Sequence, residues 1–284
     1  MKLTVHHKTT YRYARPVLLQ PHRIMLRPRG SHEIAVLASS LNCSPEAESD
    51  WTQDVFGNLI ATATFSQPTA ELVIVNDLTV EQSAAAWPVF RIAPEAHSYP
   101  FEYSPDDLAA LGTLVALEGG DPEGRLGAWA QAFIHGTSTD TLSLLKDINV
   151  GMLDAVAYRT RDEEGTQTPL ETLSFASGSC RDIAALFIEA VRLLGLGARA
   201  VSGYLFDADA SPGGGSTHAW AEIYLPGSGW IAFDPTHRRV GNANLVPIAV
   251  ARSNRQIMPI IGGYVGMPED FITMDVTVHV AREE

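Results

Sequence analysis

Residues 175–190 read F-A-S-G-S-C-R-D-I-A-A-L-F-I-E-A. Ile183, Ala184, Phe187, Ala190, Val191 and Leu194 recur at helical spacing, so a helix with one apolar stripe begins near Cys180 and needs a core to pack on. Gly195 is placed to stop it, with Gly197 just beyond. Extended segments follow at 198–206, 217–225 and 230–234. The second half of the chain is therefore a helix answered by strands, with a cysteine at the helix mouth.

Upstream the texture is different. Leu3, Val5, His7, Thr9, Tyr11 and Tyr13 alternate with Lys2, Thr4, His6, Lys8, Thr10 and Arg12, the period of a half-buried strand. H-R-I-M-L-R-P-R, E-I-A-V-L-A-S-S-L and E-L-V-I-V-N-D-L-T-V repeat it, with a tight turn at Phe56-Gly57-Asn58. Residues 1–82 are expected to form an antiparallel β-sandwich, and 83–103, with Pro88, Pro94 and Pro100, an irregular connection. Helical stripes are expected over 106–114, 124–135 and 139–157, and an exposed loop over 161–169. Alternation returns at Ile272, Met274, Val276, Val278 and Val280. The fold class is α+β: a β-rich domain over 1–82, a core over 104–250 and a C-terminal segment over 251–284.

Composition narrows the function. Hydrophobic residues make up 45% and charged residues 19% of the 284, as in an ordinary globular protein. The net charge of −13 sits mostly in the second half, which argues against nucleic acid as a partner. Residues 1–29 carry seven basic groups and no acid; a solvated face of paired strands is the expectation, a docking stripe for an acidic surface the alternative. No stretch has the length of a membrane span, and the first residues alternate where a secretory segment would be continuously apolar. The expected compartment is the cytoplasm. Cys43 and Cys180 are expected as two reduced thiols, and spacings such as C-x-x-C are absent. No metal or cofactor is expected.

A helix N-terminus stabilises a thiolate through unpaired N–H groups and the macrodipole. Ser177 or Ser179 can cap the helix, and Gly178 would let a substrate approach the backbone. A lone cysteine there also fits a small buried hydrophobe. His218 raises Cys180 above that reading. In T-H-A-W-A-E-I-Y-L, Ala219, Ala221, Ile223 and Leu225 form an apolar face, and His218, Trp220, Glu222 and Tyr224 point the other way.

Asp234 ends the next strand, across Pro226-Gly227-Ser228-Gly229. A two-residue turn would put it opposite Ala221 and on the wrong face. A three-residue loop over 226–228 pairs Leu225 with Gly229, sets Asp234 opposite Trp220 and brings it diagonal to His218. That loop is the expectation, with Gly227 or Gly229 left-handed. Cys180, His218 and Asp234 would then act as nucleophile, base and orienting acid in acyl transfer. The Cys180 N–H is the natural oxyanion donor. Tyr158 and Trp220 are candidates for a second, and Gly178 and Ser179 for substrate contact.

G-S-C-R-D at 178–182, H-A-W-A-E-I-Y at 218–224 and G-W-I-A-F-D-P-T at 229–236 resemble the transglutaminase-like superfamily, whose core is papain-like. Y-R-Y-A-R-P-V near the start and V-A-R-S-N-R-Q-I-M-P near the end extend the resemblance to its bacterial two-domain group. The resemblance implies the same triad, a Cys-bearing helix on an antiparallel sheet bearing His and Asp, and a final strand over 271–281 returning to the N-terminal sheet. Many relatives have a bulky residue where Ser179 stands, which bears on substrate shape. It further implies a peptide or isopeptide substrate and an amide-forming ligase system as partner.

Hydrolysis of a peptide or amide bond is the first reading. Amine-accepting crosslinking is the second, and a catalytically silent binding or assembly module the third. Asp207 and Asp209 are too few oxygen ligands for a calcium loop. G-x-S-x-G does not occur around Ser177 or Ser179, and H-E-x-x-H is absent. His6, His7 and His237 read as ordinary surface or strand residues. The G-G-G tract at 213–215 reads as a lid or a hairpin tip.

Overall fold

The computed structural model describes residues 1–161, 163–207 and 215–283. Asp209, Gly213 and Gly214, and with them the lid or hairpin tip, lie outside the described residues. The chain is α+β, built on antiparallel sheets.

The alternation at the start produces one long strand, β1 (Lys2–Leu19). It is the spine of a five-stranded sheet. On one side β6 (Thr69–Gln82) pairs with it, with Leu3 opposite Val80 and Tyr11 opposite Leu72; β3 (Ile34–Ser44) follows. On the other side are β13 (Tyr264–Val265) and the final strand β14 (Phe271–Arg282), with Tyr11 opposite Met274 and Thr9 opposite Val276. A second sheet holds β2 (His22–Ile24), β4 (Glu48–Gln53), β5 (Leu59–Thr64) and β12 (Ile260–Ile261). H-R-I-M-L-R-P-R is a strand only at its start; the Met25 N–H donates to the Pro259 carbonyl, one step on in the register that pairs Ile24 with Ile260. Gly57 makes the β4–β5 turn at φ +76°, and the Asp54 carboxylate accepts the N–H groups of Phe56 and Asn58.

Arg12 and Arg15, two of the basic residues near the N-terminus, are exposed on β1 and meet acidic partners from neighbouring segments, as does His6. Arg12 meets Glu71 and Asp275, Arg15 meets Asp270, and His6 meets Asp77. Such pairs contribute little individually.

The opposite face of the β1 sheet is divided between two partners. Tyr13, Leu72 and Ile74 pack on Ile24, Leu26, Ala61, Ala63 and Phe65 of the second sheet. Leu3, Val5, Leu78, Val80 and Val280 pack instead on Tyr204, Val246 and Ile248. His7, Thr9 and Asn76 lie between, all buried.

Those last partners belong to a third sheet, ordered β10 (Arg239–Val240), β9 (Gly229–Asp234), β8 (Gly215–Leu225), β7 (Ala198–Phe206) and β11 (Leu245–Ala251). The expected stripe of α5 (Cys180–Leu193) packs on it through Ile183, Phe187, Ala190 and Val191, against Ala221, Ile223, Leu225, Ile231 and Phe233. Gly195 ends the helix at φ +80°, and the Leu196 N–H returns to the Val191 carbonyl. Helix α5 therefore covers one end of this sheet face and the β1 sheet covers the other. Cys180 sits at the join.

The other helices are α1 (Pro105–Leu111), α2 (Arg125–Gln131), α3 (Thr141–Ala155) and α4 (Pro169–Phe175). The first is shorter than its stripe because Gly112 turns to φ +49°. Helix α4 is not among the expected elements. Its start carries a full capping box, Thr168 with Glu171, and Pro169 at the first position. Among the described residues no helix is long and apolar enough to cross a membrane.

Gly203, on β7 opposite His218, has no room for a side chain. A methyl group there would meet the Val246 carbonyl oxygen and, at 2.7 Å, the Trp220 ring. Gly203→Ala is expected to cost about 1–3 kcal/mol through overpacking, lowering Tm by roughly 2–10 °C in a calorimetric melt. An unchanged Tm would mean that the sheet can part at this point.

Candidate active site

The mouth of α5 is shaped by one carboxylate. Asp182 is fully buried. Its Oδ2 accepts the Ser179 N–H (2.8 Å), the Ser179 hydroxyl (2.7 Å) and the Arg161 Nε–H (2.8 Å), and its Oδ1 accepts the Gln167 N–H (2.7 Å). Burial opposes its ionisation, but these donors together hold it below the ordinary carboxylate range. Ser179 is the N-cap and is spent on this network. Gly178 is a packing position rather than an opening for substrate: a Cβ there would lie 2.8 Å from the Cβ of Asp182 and 3.2 Å from Thr172. The expected exposed loop at 161–169 is in part the other half of the network, through Arg161 and Gln167. Arg181 reaches back to the same loop, donating to the carbonyls of Arg161 and Glu163.

The β8–β9 register decides whether Asp234 can meet His218. Leu225 pairs with Gly229 and Ala221 with Phe233, which sets Asp234 one step on, opposite Trp220. The loop is the three-residue one, with Gly227 at φ +83° and Gly229 at φ +71°. His218 Nε2 and Asp234 Oδ2 are 2.9 Å apart, and both side chains are buried. The imidazole also lies beside the Cys180 thiol, close enough for each to act on the other's charge, and the N–H groups of Ala219 and Arg181 lie near the sulfur as well.

The electrostatics follow from that geometry. Burial alone would lower the His218 pKa; hydrogen bonds to Asp234 and Cys180, with their charges, raise it from 6.5 to about 9. Burial likewise would raise Cys180, but the hydrogen bond and charge of His218 bring it below 9.0. Asp234 is driven far below its usual range by the two imidazoles it serves, against the effect of burial. Both shifts run in the direction that favours a thiolate–imidazolium pair, with the Asp234 carboxylate behind it.

His237 is not an ordinary surface residue. Its Nδ1 is 2.9 Å from the same Asp234 oxygen that His218 uses, and the two rings meet edge to face at 5.0 Å. The D-P-T-H spacing was the available signal: a carboxylate ending a strand also accepts N–H groups two and three residues on, here Thr236 and His237. His218, Asp234 and His237 bring three ligand atoms within 4.8 Å of one another. A cation there would need neutral imidazoles, and the raised His218 works against that. His7 is a strand residue on the buried face of β1, with Nδ1 2.9 Å from the Tyr204 hydroxyl.

Two hollows open on Cys180 and His218. One, of about 430 Å³, is lined by Tyr158, Leu205, Thr217, Thr236 and His237. Tyr158 is half exposed there, its backbone held beside Gly178 by a short parallel bridge. The other, of about 250 Å³, lies toward β1 and β14. Trp220 reaches neither. It is fully buried and stacks behind His218 at 5.9 Å, so it supports the ring and offers no donor to a substrate.

Residues 3–81 match the bacterial transglutaminase-like N-terminal region, and residues 127–235 match the core of the transglutaminase-like superfamily. The chain belongs to that superfamily. Its sequence is 26% identical over 294 residues to an uncharacterised Mycobacterium tuberculosis protein, covering 99% of this chain and 92% of that one. A Mycobacterium leprae relative, also uncharacterised, is 25% identical over 299 residues, with 99% of each chain covered. The fold is that of a candidate cysteine protease from Cytophaga hutchinsonii, with a TM-score of 0.75 at 20% identity over 100% of this chain and 92% of that chain.

The pair predicts a distinctive pH profile. Because His218 holds its proton toward pH 9 and its charge pulls the Cys180 thiol below the ordinary range, iodoacetamide should alkylate Cys180 at lower pH than an ordinary thiol. Cys43, whose thiol burial pushes upward, should react only as the pH rises. Peptide mass mapping across a pH titration reads both. His218→Ala should shift the Cys180 profile to that of a free thiol; a Cys180 that already titrates so in the wild type would mean that no ion pair forms.

Proposed function

We propose that this protein is a cysteine-dependent enzyme that cleaves a peptide or amide bond through a thioester acyl-enzyme. Cys180 beside His218, and His218 hydrogen-bonded to Asp234, set at a helix mouth between two hollows, carry the reading. The Cys180 thiolate attacks the carbonyl carbon, and the oxyanion takes the Cys180 N–H. His218 gives its proton to the departing nitrogen as the C–N bond breaks, leaving the thioester. Water then attacks while His218 takes its proton, and the carboxylic acid leaves as the thiolate re-forms. Asp234 holds the imidazole throughout. His237, on the same oxygen, fixes the carboxylate.

Water is favoured over an amine as acceptor by the fold shared with a candidate cysteine protease. Contact among all three groups favours an active enzyme over a silent module, which has no need to keep two buried charges paired. Cys43 and Cys180 are both free thiols, in keeping with a reducing cytoplasm as the working compartment. An amide-forming ligase system is the partner that the family suggests.

The test is a peptide and isopeptide library incubated in H₂¹⁸O with a fluorescent primary amine. Hydrolysis places one ¹⁸O in each new carboxylate; amine transfer labels the acyl fragment instead. Cys180→Ala should abolish turnover by about 10⁴-fold or more, and Asp234→Asn should lower kcat by about 10²–10⁴ with little change in KM. Amine-labelled product in place of ¹⁸O would reassign the enzyme as a transferase. Absence of both products and of any trapped thioester would favour the binding module.

A further inference from the structure

The hollow of about 250 Å³ beside Cys180 is not built by the transglutaminase-like core alone. Tyr11 comes from β1, Met274 and Val276 from β14, and Met258, Pro259 and Ile260 from the chain leading into β12. The two motifs left unused by the triad, around Tyr11 and around 250–259, thus meet at the nucleophile. Register explains it: Tyr11 pairs with Met274 and Thr9 with Val276, so their side chains share the sheet face that turns toward Cys180.

This wall is apolar and open. Met274 and Val276 are 51% and 47% exposed, and Ile272, next on the same face, is 60% exposed. The charged groups near it are engaged elsewhere. Arg181 is turned to the carbonyls of Arg161 and Glu163. His7 is held by the Tyr204 and Thr9 hydroxyls. The volume is below that of a whole small-molecule site and suits one large side chain. Ser202, Thr217 and Asn254 add hydroxyl and amide groups to the lining.

We propose that the N-terminal sheet and the final strand form a specificity subsite, in which Tyr11, Met258, Met274 and Val276 receive one bulky apolar side chain on the acyl part of the substrate. This rests on Cys180 being the nucleophile. The substrate class becomes a peptide or amide with a Leu-, Met- or Phe-sized group next to, or one residue before, the scissile carbonyl. Glycine would leave the hollow unfilled, and a charged side chain would lie against an apolar wall beside Arg181 and His218, which are already engaged by the Arg161 and Glu163 carbonyls and by Asp234.

N-acyl dipeptidyl chloromethyl ketones carrying Gly, Leu, Phe, Glu or Lys at each of these two positions test it. Their rates of Cys180 modification are read by mass spectrometry and divided by the iodoacetamide rate of the same protein. Leu or Phe should exceed Gly, Glu and Lys by about 10-fold or more at one position. Met274→Trp, which fills the hollow, and Val276→Asp, which charges it, should each erase that preference; both positions are half exposed, so both variants should fold. Equal normalised rates across the panel, or a preference that survives Met274→Trp, would overturn the subsite while leaving the nucleophile standing. A Cys180 inert to every reagent would overturn the nucleophile instead. In that case saturation-transfer NMR of Cys180→Ala with N-acetylphenylalaninamide and N-acetylglycinamide still decides the subsite: a signal for the first alone, lost in Met274→Trp, supports it, and its absence refutes it.

Discussion

Asp182 is a fully buried carboxylate on the first turn of α5, and its four hydrogen bonds to Ser179, Arg161 and Gln167 fix everything around the thiol. A charge in that position is tolerable only when every lone pair is answered, since removing one partner of a buried pair typically costs several kcal/mol. Here the answer comes from two segments, the helix cap at Ser179 and the loop that carries Arg161 and Gln167. The helix is thereby tied to the 161–168 loop and to the short bridge that holds Tyr158, and the Cys180 thiol is held at the helix mouth facing β8.

The second constraint is shared surface. One face of the third sheet is covered at one end by α5 and at the other by the β1 sheet. The β1 sheet in turn divides the same face of its own between the third sheet and the second. Neither layer closes completely over the join. A hollow therefore remains where the helix mouth, the N-terminal sheet and the 254–260 segment meet, and a reactive cysteine there is reachable without any part of the core opening. The N-terminal region is thus a wall of the site as well as a neighbour to it.

Much of the candidate site was legible because period and spacing are local properties. The stripe of α5, the glycine stop at 195 and the opposite faces of H-A-W-A-E-I-Y-L follow from side-chain direction along helices and strands. The loop length over 226–228 was also within reach, since only that register puts Asp234 near His218. Other features were local signals passed over: Thr168-Pro169 with Glu171 is a helix start, and His237 stands three residues beyond a strand-ending carboxylate. Within its own segment Gly178 suggests an approach for substrate, whereas its missing side chain makes room for Asp182 and Thr172. A glycine's neighbours across space leave no trace in its own segment.

By itself, then, the sequence determined which elements form and which three side chains stand at their ends, because helix and strand periods and turn lengths are set within a few residues. Only the tertiary structure decided what surrounds them. That Asp182 is answered by Arg161 and Gln167, that one Asp234 oxygen serves two histidines, and that Tyr11 and Met274, 169 residues before and 94 residues after Cys180, enclose the same hollow all depend on long-range packing. Such contacts form when apolar faces from distant segments are buried together, and the sequence of any one segment encodes only its own face.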